Sequence, residues 1–280
     1  MNFNLKGYFI LVRPVNILIG ALTVFVGAVI TGTIHPLEKV VLACISGSLI
    51  MAGGNVINDY FDLDIDRVNK PFRPLPSNIV TAKGVLSFAI ILFALGVFLS
   101  IFIFPLAVFV AVITSIGLFF YSAKLKQTVF FGNIAVSLFS ALAFIYGGIA
   151  VGRWQEALVP AGFTFLFHLG REIIKDIEDQ SADKTVSAET LPLRFGTKTA
   201  LKVTTVVFSS LILFTFIPYI FGIYGELYFW VVLVGVDLVI VSSLGFMWKH
   251  PSTQNLRRIS AVLKADMPVG LLAIYLGLPN

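Results

Sequence analysis

Two runs of aspartates with identical spacing stand out in the sequence. Each run has acids at its first, fourth and eighth positions, and the members are Asp59, Asp62 and Asp66, and Asp176, Asp179 and Asp183. A helix advances by about 100° per residue, so these positions fall within roughly 80° of one another and form one stripe of carboxylates. Asp64 and Glu178 are expected to point elsewhere. Two such stripes predict a site for a divalent metal ion.

Basic residues surround both runs of aspartates. They are Arg67, Lys70, Arg73, Lys124, Lys126, Lys184 and Arg194. Carboxylate oxygens, in a chain with only 3 histidines, favour Mg²⁺, which keeps part of its water and takes further ligands from substrate phosphates. Arginine and lysine bind phosphate oxygens through charged hydrogen bonds. Acids for a metal beside cations for phosphate predict a diphosphate site.

The rest of the chain has the composition of a membrane protein. It is 58% hydrophobic and 12% charged, and its apolar runs of about twenty residues are long enough to cross ~30 Å of hydrocarbon. An isolated span must satisfy its own backbone hydrogen bonds, so we predict an all-α, polytopic membrane protein with a single domain over residues 1–280. Nine spans are predicted, near 12–34, 38–57, 85–103, 105–123, 129–151, 157–175, 200–221, 227–248 and 260–278.

The distribution of basic residues predicts the orientation. With the N-terminus in the cytoplasm and the C-terminus outside, all 20 Lys and Arg residues except Lys39 and Arg153 lie on the inner side of the cell membrane. Four spans separate the two aspartate runs, so both runs open on the cytoplasmic side, in loops near 58–84 and 176–199. Lys126 and other loop lysines are expected only to set the orientation of the protein in the membrane and to have no role in the site. Anionic lipid headgroups explain the net charge of +5, no nucleic-acid motif is present, and no obligatory protein partner is inferred.

The sequence also resembles a known family. The run from Asn55 to Ser77, Asn-Val-Ile-Asn-Asp-Tyr-Phe-Asp-Leu-Asp-Ile-Asp-Arg-Val-Asn-Lys-Pro-Phe-Arg-Pro-Leu-Pro-Ser, resembles the first conserved motif of the UbiA superfamily of intramembrane prenyltransferases. The second aspartate run resembles the other motif of that family. Further similar segments are Arg13-Pro14-x-Asn16, Tyr121-Ser122-x-Lys124 and Thr190-Leu191-Pro192, the last followed by Phe195-Gly196. The resemblance covers nearly the whole chain. It implies nine helices around a central cavity, two cytoplasmic loops that cap it, and Mg²⁺-dependent transfer of a prenyl group from its diphosphate.

The resemblance and the residue chemistry together imply site roles. Catalytic residues are expected in both aspartate runs, with metal ligands at Asp59, Asp62, Asp66, Asp179 and Asp183; Asp176 is included as catalytic through the repeat alone. The diphosphate ligands implied are Asn58, Arg67, Lys70, Tyr121, Lys124 and Lys184. The acceptor candidates are Arg13, Asn16, His168 and Arg171, because an acceptor that contains phosphate brings a second anion.

Within the family, both aspartate segments are most similar to the branch that makes archaeal ether lipids. That similarity implies a geranylgeranyl donor and the hydroxyl of geranylgeranylglyceryl phosphate as acceptor. Chlorophyll-forming members share much of the first motif, so an aromatic or chlorin acceptor stays open.

A divalent-cation transporter is the alternative from another class. A transporter should place acids along a path through the membrane. Here the acids crowd one face, and Asp237 is the deep exception, near the middle of the eighth predicted span. An ionised carboxylate is costly at that depth, so Asp237 is expected to form structural hydrogen bonds. The pattern therefore favours the enzyme.

Overall fold

The computed structural model describes residues 4–180 and 189–278, and within these ranges all regular structure is helical. In chain order the helices are α1 Leu5–Val12, α2 Pro14–Val29, α3 Leu37–Phe61, α4 Leu63–Asn69, α5 Ala82–Ser100, α6 Pro105–Ala123, a 3-10 turn Leu125–Gln127, α7 Phe131–Ala150, α8 Leu158–Glu178, α9 Leu191–Phe195, α10 Thr197–Ile220, α11 Glu226–Val232, a π segment Leu233–Asp237, α12 Leu238–Lys249 and α13 Thr253–Leu276.

Length and composition make most of these helices candidate membrane spans. Seven qualify, namely α3, α5, α6, α7, α10, α13 and the continuous stretch Glu226–Lys249. Helices α1 and α2 meet at 46° and would add an eighth as one bent span. The predicted all-α, polytopic class is confirmed. The protein is an integral membrane protein.

The predicted count of nine spans is not confirmed. The predicted span 157–175 corresponds to α8, which has the required length. However, the last two turns of α8 carry charged residues, namely Arg171, Glu172, Lys175, Asp176 and Glu178. Charge is expensive in hydrocarbon, so the C-terminal part of α8 is unlike an ordinary lipid-embedded span.

The chain divides into two compact units. Unit 1 contains the residues up to Lys126 together with Leu142–Leu158, and unit 2 contains Gln127–Ala141 together with the residues from Val159 onward. In unit 1, α2 packs closely against the second half of α7. A Cβ atom on Gly147 would lie only 2.0 Å from the carbonyl oxygen of Val24, so glycine is required for this approach.

Unit 2 has its own apolar core, with residues from α8, α10, α12 and α13. Gly170 of α8 faces the ring of Phe208, which would lie 2.7 Å from an added Cβ atom. Asp237 is buried at the end of the π segment and accepts a hydrogen bond from the Thr215 hydroxyl at 3.1 Å. The Tyr228 hydroxyl donates to the carbonyl of Thr215 at 2.8 Å. The structural hydrogen bonding expected of Asp237 is thus observed.

Candidate active site

The end of α3 positions the first aspartate run. Helix α3 ends at Phe61, and Asp62 caps it before α4 begins. The Asp62 amide still donates to the Asn58 carbonyl at 2.9 Å, and the Asp66 amide to the Asp62 carbonyl at 2.7 Å. Because the four-residue hydrogen bonds continue across this break, the acids keep their helical phase. Asp59 and Asp66 are buried, whereas the side chain of Asp64 is 91% exposed, which confirms that Asp64 points away.

Two arginines neutralise the buried acids of unit 1. One nitrogen of Arg73, Nη1, donates to Asp66 Oδ2 at 2.6 Å and to Asp59 Oδ1 at 3.3 Å. Arg13 Nη2 donates to the same oxygen of Asp59 at 2.5 Å. Because one nitrogen contacts both acids, the carboxylates of Asp59 and Asp66 converge on a single point. Carboxylate oxygens that converge beside guanidinium groups form a strongly charged, partly buried cluster.

The middle acid of the run, Asp62, has a different partner. Lys126 Nζ forms an ion pair with Asp62 and also donates to Asn58 Oδ1 at 3.3 Å. Asn58 Nδ2 in turn donates to Asp62 Oδ2 at 2.8 Å. The side chains of Lys126 and Asp62 are 15% and 19% exposed, so this pair is largely withdrawn from water. Lys126 therefore does more than set the topology, and our expectation for it was incomplete.

Three predicted phosphate ligands of unit 1, Arg67, Lys70 and Lys124, lie apart from these contacts. Arg67 pairs with Asp64 at the surface, with side chains 57% and 91% exposed. Lys70 and Lys124 are exposed, and Tyr121 is half-buried. The structure therefore brings Arg13, Arg73 and Lys126 to the acids.

The sequence held a signal for Arg73. Leu75 is 3% exposed and Val80 is 5% exposed, and both belong to the apolar core of unit 1. Burial of these two side chains anchors the proline-rich loop after α4, which returns Arg73 to the end of α3. An apolar residue between two prolines, Leu75, was the sequence signal for that anchoring.

The second aspartate run begins with Asp176 in the last turn of α8, which belongs to unit 2. Asp176 Oδ2 accepts a hydrogen bond from Asn133 Nδ2 at 2.9 Å. Glu178 accepts one from Arg257 Nε at 2.8 Å. Burial raises the pKa of Asp179 above its ordinary value, while the charges of Lys175 and Arg257 act in the opposite direction. The predicted residues Asp183 and Lys184 lie outside the described residues.

The four acceptor candidates have different surroundings. Arg13 is bonded to Asp59, and Asn16 is exposed. His168 is half-buried on α8. Arg171 has a side chain that is 18% exposed and donates through Nη1 to Glu172 at 3.2 Å. Within the described residues, its buried Nε has no hydrogen-bond acceptor. A buried donor without a partner is costly, so Arg171 Nε is a ready position for an anion.

The donor set of unit 1 suits Mg²⁺ better than a metal held by protein ligands alone. Among the described residues, no three His, Cys, Asp or Glu side chains gather closely enough to hold a metal ion. Mg²⁺ typically uses one or two carboxylates and completes its shell with water and substrate phosphate. The converging oxygens of Asp59 and Asp66 are of this kind. The residues therefore fit the metal that the sequence predicts.

Comparison with known proteins gives the family. The model of the UbiA prenyltransferase family matches residues 20–264, and the chain belongs to this family. It is a membrane-embedded prenyltransferase. The predicted enzyme class is confirmed, and the transporter alternative is not supported.

Several individual proteins are similar to this chain. A digeranylgeranylglyceryl phosphate synthase of Sulfurisphaera tokodaii is 40% identical over 224 residues, which cover 78% of this chain and 80% of the relative. A solved structure of a digeranylgeranylglyceryl phosphate synthase is 32% identical, covers 98% of each chain and has a TM-score of 0.88. A UbiA homologue from Archaeoglobus fulgidus, solved with GPP and Mg²⁺, is 21% identical over 96% of this chain and 99% of its own, with a TM-score of 0.72. At this identity the last comparison supports the fold alone.

Proposed function

We propose that this prenyltransferase transfers a geranylgeranyl group from its diphosphate to the hydroxyl of geranylgeranylglyceryl phosphate. The observation that carries the proposal is the similarity to two digeranylgeranylglyceryl phosphate synthases, at 40% and 32% identity. The name of those relatives describes a product that contains two geranylgeranyl groups on glycerol phosphate. This choice of acceptor is the finer part of the proposal, since prenyl transfer follows from the family itself.

The acid cluster of unit 1 would hold Mg²⁺ through the converging oxygens of Asp59 and Asp66, and the role of Asp62 as a further ligand rests on the family motif. When bound, the metal neutralises negative charge on the leaving diphosphate. Arg13 and Arg73 already lie at these carboxylates, and a guanidinium fork suits phosphate oxygens equally well. We therefore assign diphosphate binding to both arginines, alongside the contributions predicted for Asn58, Tyr121, Lys70 and Lys184. The proposed role of Asp179 and Asp183 as further metal ligands rests on the family motif.

The transfer itself requires one bond to break and one to form. The allylic carbon–oxygen bond of the donor breaks, and its electron pair leaves with the diphosphate. The acceptor hydroxyl attacks the allylic carbon, an ether forms, and the hydroxyl proton passes to a carboxylate or to the released diphosphate. Aromatic faces stabilise a cation of this kind. Tyr60 and Phe61 lie beside the acids, and the Phe61 ring packs edge to face on Phe119 with centroids 5.4 Å apart.

Arg171 is the acceptor ligand for which the structure gives the most support. Its Nε is buried and, in the described part of the chain, has no acceptor, so a phosphate oxygen would satisfy it. Arg171→Gln should raise the KM for the acceptor about tenfold, as expected for one charged hydrogen bond, and leave the KM for the donor unchanged. Lys202→Gln, which removes an exposed charge of α10, is the matched control. A higher donor KM in Arg171→Gln would contradict the assignment.

The proposed location is the cell membrane, with the N-terminus and both aspartate loops in the cytoplasm and the C-terminus outside. The test uses Cys44→Ser protein, which has no other cysteine. A membrane-impermeant maleimide added to intact cells should label Lys39→Cys in this background and leave Lys70→Cys unlabelled. Labelling of Lys70→Cys alone would reverse the orientation.

The decisive experiment supplies purified protein with geranylgeranyl diphosphate and, in parallel, four acceptors. These are geranylgeranylglyceryl phosphate, a hydroxybenzoate, a naphthoate and chlorophyllide, each with and without Mg²⁺. We expect a diether phosphate, identified by mass, only with the glycerol phosphate acceptor and only with Mg²⁺. An aromatic or chlorin product would keep prenyl transfer and refute the acceptor. Equal turnover after metal removal would refute the Mg²⁺ requirement.

A further inference from the structure

A groove in unit 2 lies outside the acidic clusters described above. It has a volume of about 420 Å³ and runs between α12 and α13. Its lining includes Leu238, Ser242, Phe246, Arg258, Ile259 and Val262. Most of these side chains are apolar, so the groove offers little to a water-soluble ligand. At one end of the groove, however, the lining includes the cationic side chain of Arg258.

The cation at this end is Arg258. Asn255 is already occupied, because its Nδ2 donates to the carbonyls of His250 at 2.8 Å and Phe246 at 3.2 Å. Arg258 is exposed, and across residues 4–180 and 189–278 no ion pair neutralises it. An arginine at the mouth of an apolar groove presents a planar donor to an anion.

The groove also has the depth that a lipid chain requires. Leu238 and Lys249 are the two ends of α12, so the groove begins about 16 Å along the helix from the basic turn, at 1.5 Å per residue. This is roughly half of the ~30 Å hydrocarbon thickness. Lys249 ends α12, and Arg257 and Arg258 lie in the second turn of α13, so three basic residues flank the connection between the helices and would attract the anionic leaflet. The apolar walls therefore lie at the depth of the lipid acyl chains, and Arg258 lies at the depth of the lipid headgroups.

We propose that this groove binds one anionic phospholipid of the surrounding bilayer, with a chain along α12 and α13 and the phosphate on Arg258. The charge of Arg258 selects the anionic headgroup, and the apolar walls take the chain. This lipid is neither the donor nor the acceptor of the proposed reaction. Arg258, the proposed phosphate ligand, is next in sequence to Arg257. Arg257 Nε donates a hydrogen bond to Glu178, which lies within the second aspartate run. Bound lipid would therefore lie close to an ion pair that fixes the end of α8.

The test measures lipid retention, so it is independent of prenyl transfer. Purified protein is placed in bilayer discs of equal phosphatidylglycerol and phosphatidylcholine, released, and examined by native mass spectrometry. Wild-type protein should retain phosphatidylglycerol, and Arg258→Gln should reduce that retention about tenfold, as expected for loss of one charged hydrogen bond. Ser242→Trp should reduce it similarly by filling the groove while every charge is kept.

Lys202→Gln is the matched control, since it removes an exposed cation of α10 that does not line the groove. Melting temperature and circular dichroism establish that each variant is folded. Wild-type retention in folded Arg258→Gln or in folded Ser242→Trp would overturn the proposal. Equal retention of phosphatidylcholine by wild-type protein would also overturn the proposal, because the groove would then bind acyl chains without selecting the anionic headgroup.

Discussion

The two aspartate runs have the same spacing and different surroundings. In unit 1 the acids are matched by cations: Asp59 and Asp66 share Arg73, and Asp62 pairs with Lys126. In unit 2, Asp176 accepts a hydrogen bond from the neutral amide of Asn133, and Asp179 lies near the charges of Lys175 and Arg257. Identical spacing in the sequence therefore does not by itself give identical surroundings. The first run should contribute to both the fold and the chemistry, and the second mainly to the chemistry.

The largest expected effect is on the first run. Asp59→Asn should lower Mg²⁺-dependent transfer by about 10³-fold, since it removes a ligand of the metal that would neutralise the leaving diphosphate. It should also lower the melting temperature, because Arg13 and Arg73 lose their shared partner. Both are measured on purified protein. Asp64→Asn is the control, and equal losses in the two variants would contradict the predicted phase.

Asp179→Asn should separate activity from stability in the second run. Transfer should fall about 10²-fold, in the range for removal of one electrostatic group. The melting temperature near pH 7 should hold or rise, because burial raises the pKa of Asp179 and so disfavours its charged form in the folded protein. The difference in melting temperature from wild type should shrink as the pH falls through that raised pKa. A melting temperature as low as that of Asp59→Asn would remove the contrast between the runs.

Lys126→Gln should reduce transfer about 10-fold to 30-fold, the cost of one charge-assisted contact of roughly 1.5–2 kcal/mol. Its amine lies against Asp62 and Asn58. Lys124→Gln removes the same charge two residues earlier, from an exposed position, and should change the rate less than threefold. A larger loss in Lys124→Gln would restore the assignment drawn from the motif alone.

Arg13→Gln should strengthen metal binding by unit 1. Arg13 competes with an incoming metal ion for the carboxylate of Asp59. In a medium with the dielectric constant of water, one nearby charge contributes about 1 kcal/mol, which is roughly a fivefold change in metal affinity. Binding of Mn²⁺, followed by electron paramagnetic resonance without diphosphate, measures this effect. Arg67→Gln removes an exposed arginine and should leave the affinity unchanged within about twofold. Unchanged affinity in Arg13→Gln would show that the ion pair does not oppose the metal.

The smallest effect is expected at the surface pair Arg67 and Asp64. Exposed ion pairs contribute about 0–1 kcal/mol, so Arg67→Gln should shift the melting temperature by no more than about 2 °C. Transfer should stay within about twofold of wild type. A loss above tenfold would return Arg67 to the diphosphate ligands predicted from the sequence.

Much of the fold and the phase of the acids could be predicted from the sequence. Apolar runs define spans because hydrocarbon tolerates little else, and a 100° rotation per residue correctly separated Asp64 from its neighbours. The identity of the lysine at Asp62 could not be predicted. Helix α6 ends at Ala123 and a short 3-10 turn follows, so Lys126 and not Lys124 reaches the acid. The residue at which a helix ends is difficult to predict from sequence patterns.

Other contacts depended on long-range packing. Arg73 reaches Asp59 and Asp66 because Leu75 is buried in the core of unit 1, which local spacing does not encode. The orphan Nε of Arg171 likewise follows from burial of α8 in unit 2. The predicted central cavity and the ligand roles of Asp183 and Lys184 remain predictions.

The backbone of Arg13 links the first bend of the chain to this chemistry. Arg13 joins α1 to α2 with φ 56°, a left-handed conformation that costs a residue with a side chain roughly 1–2 kcal/mol. Its ion pair with Asp59 offsets part of that cost. A metal ion that binds Asp59 in place of Arg13 would break this ion pair, and the backbone cost at Arg13 would no longer be offset. The 46° angle between α1 and α2 would then be free to change. Two spectroscopic probes on these helices would therefore report metal loading directly, as a change in distance, before any substrate is added.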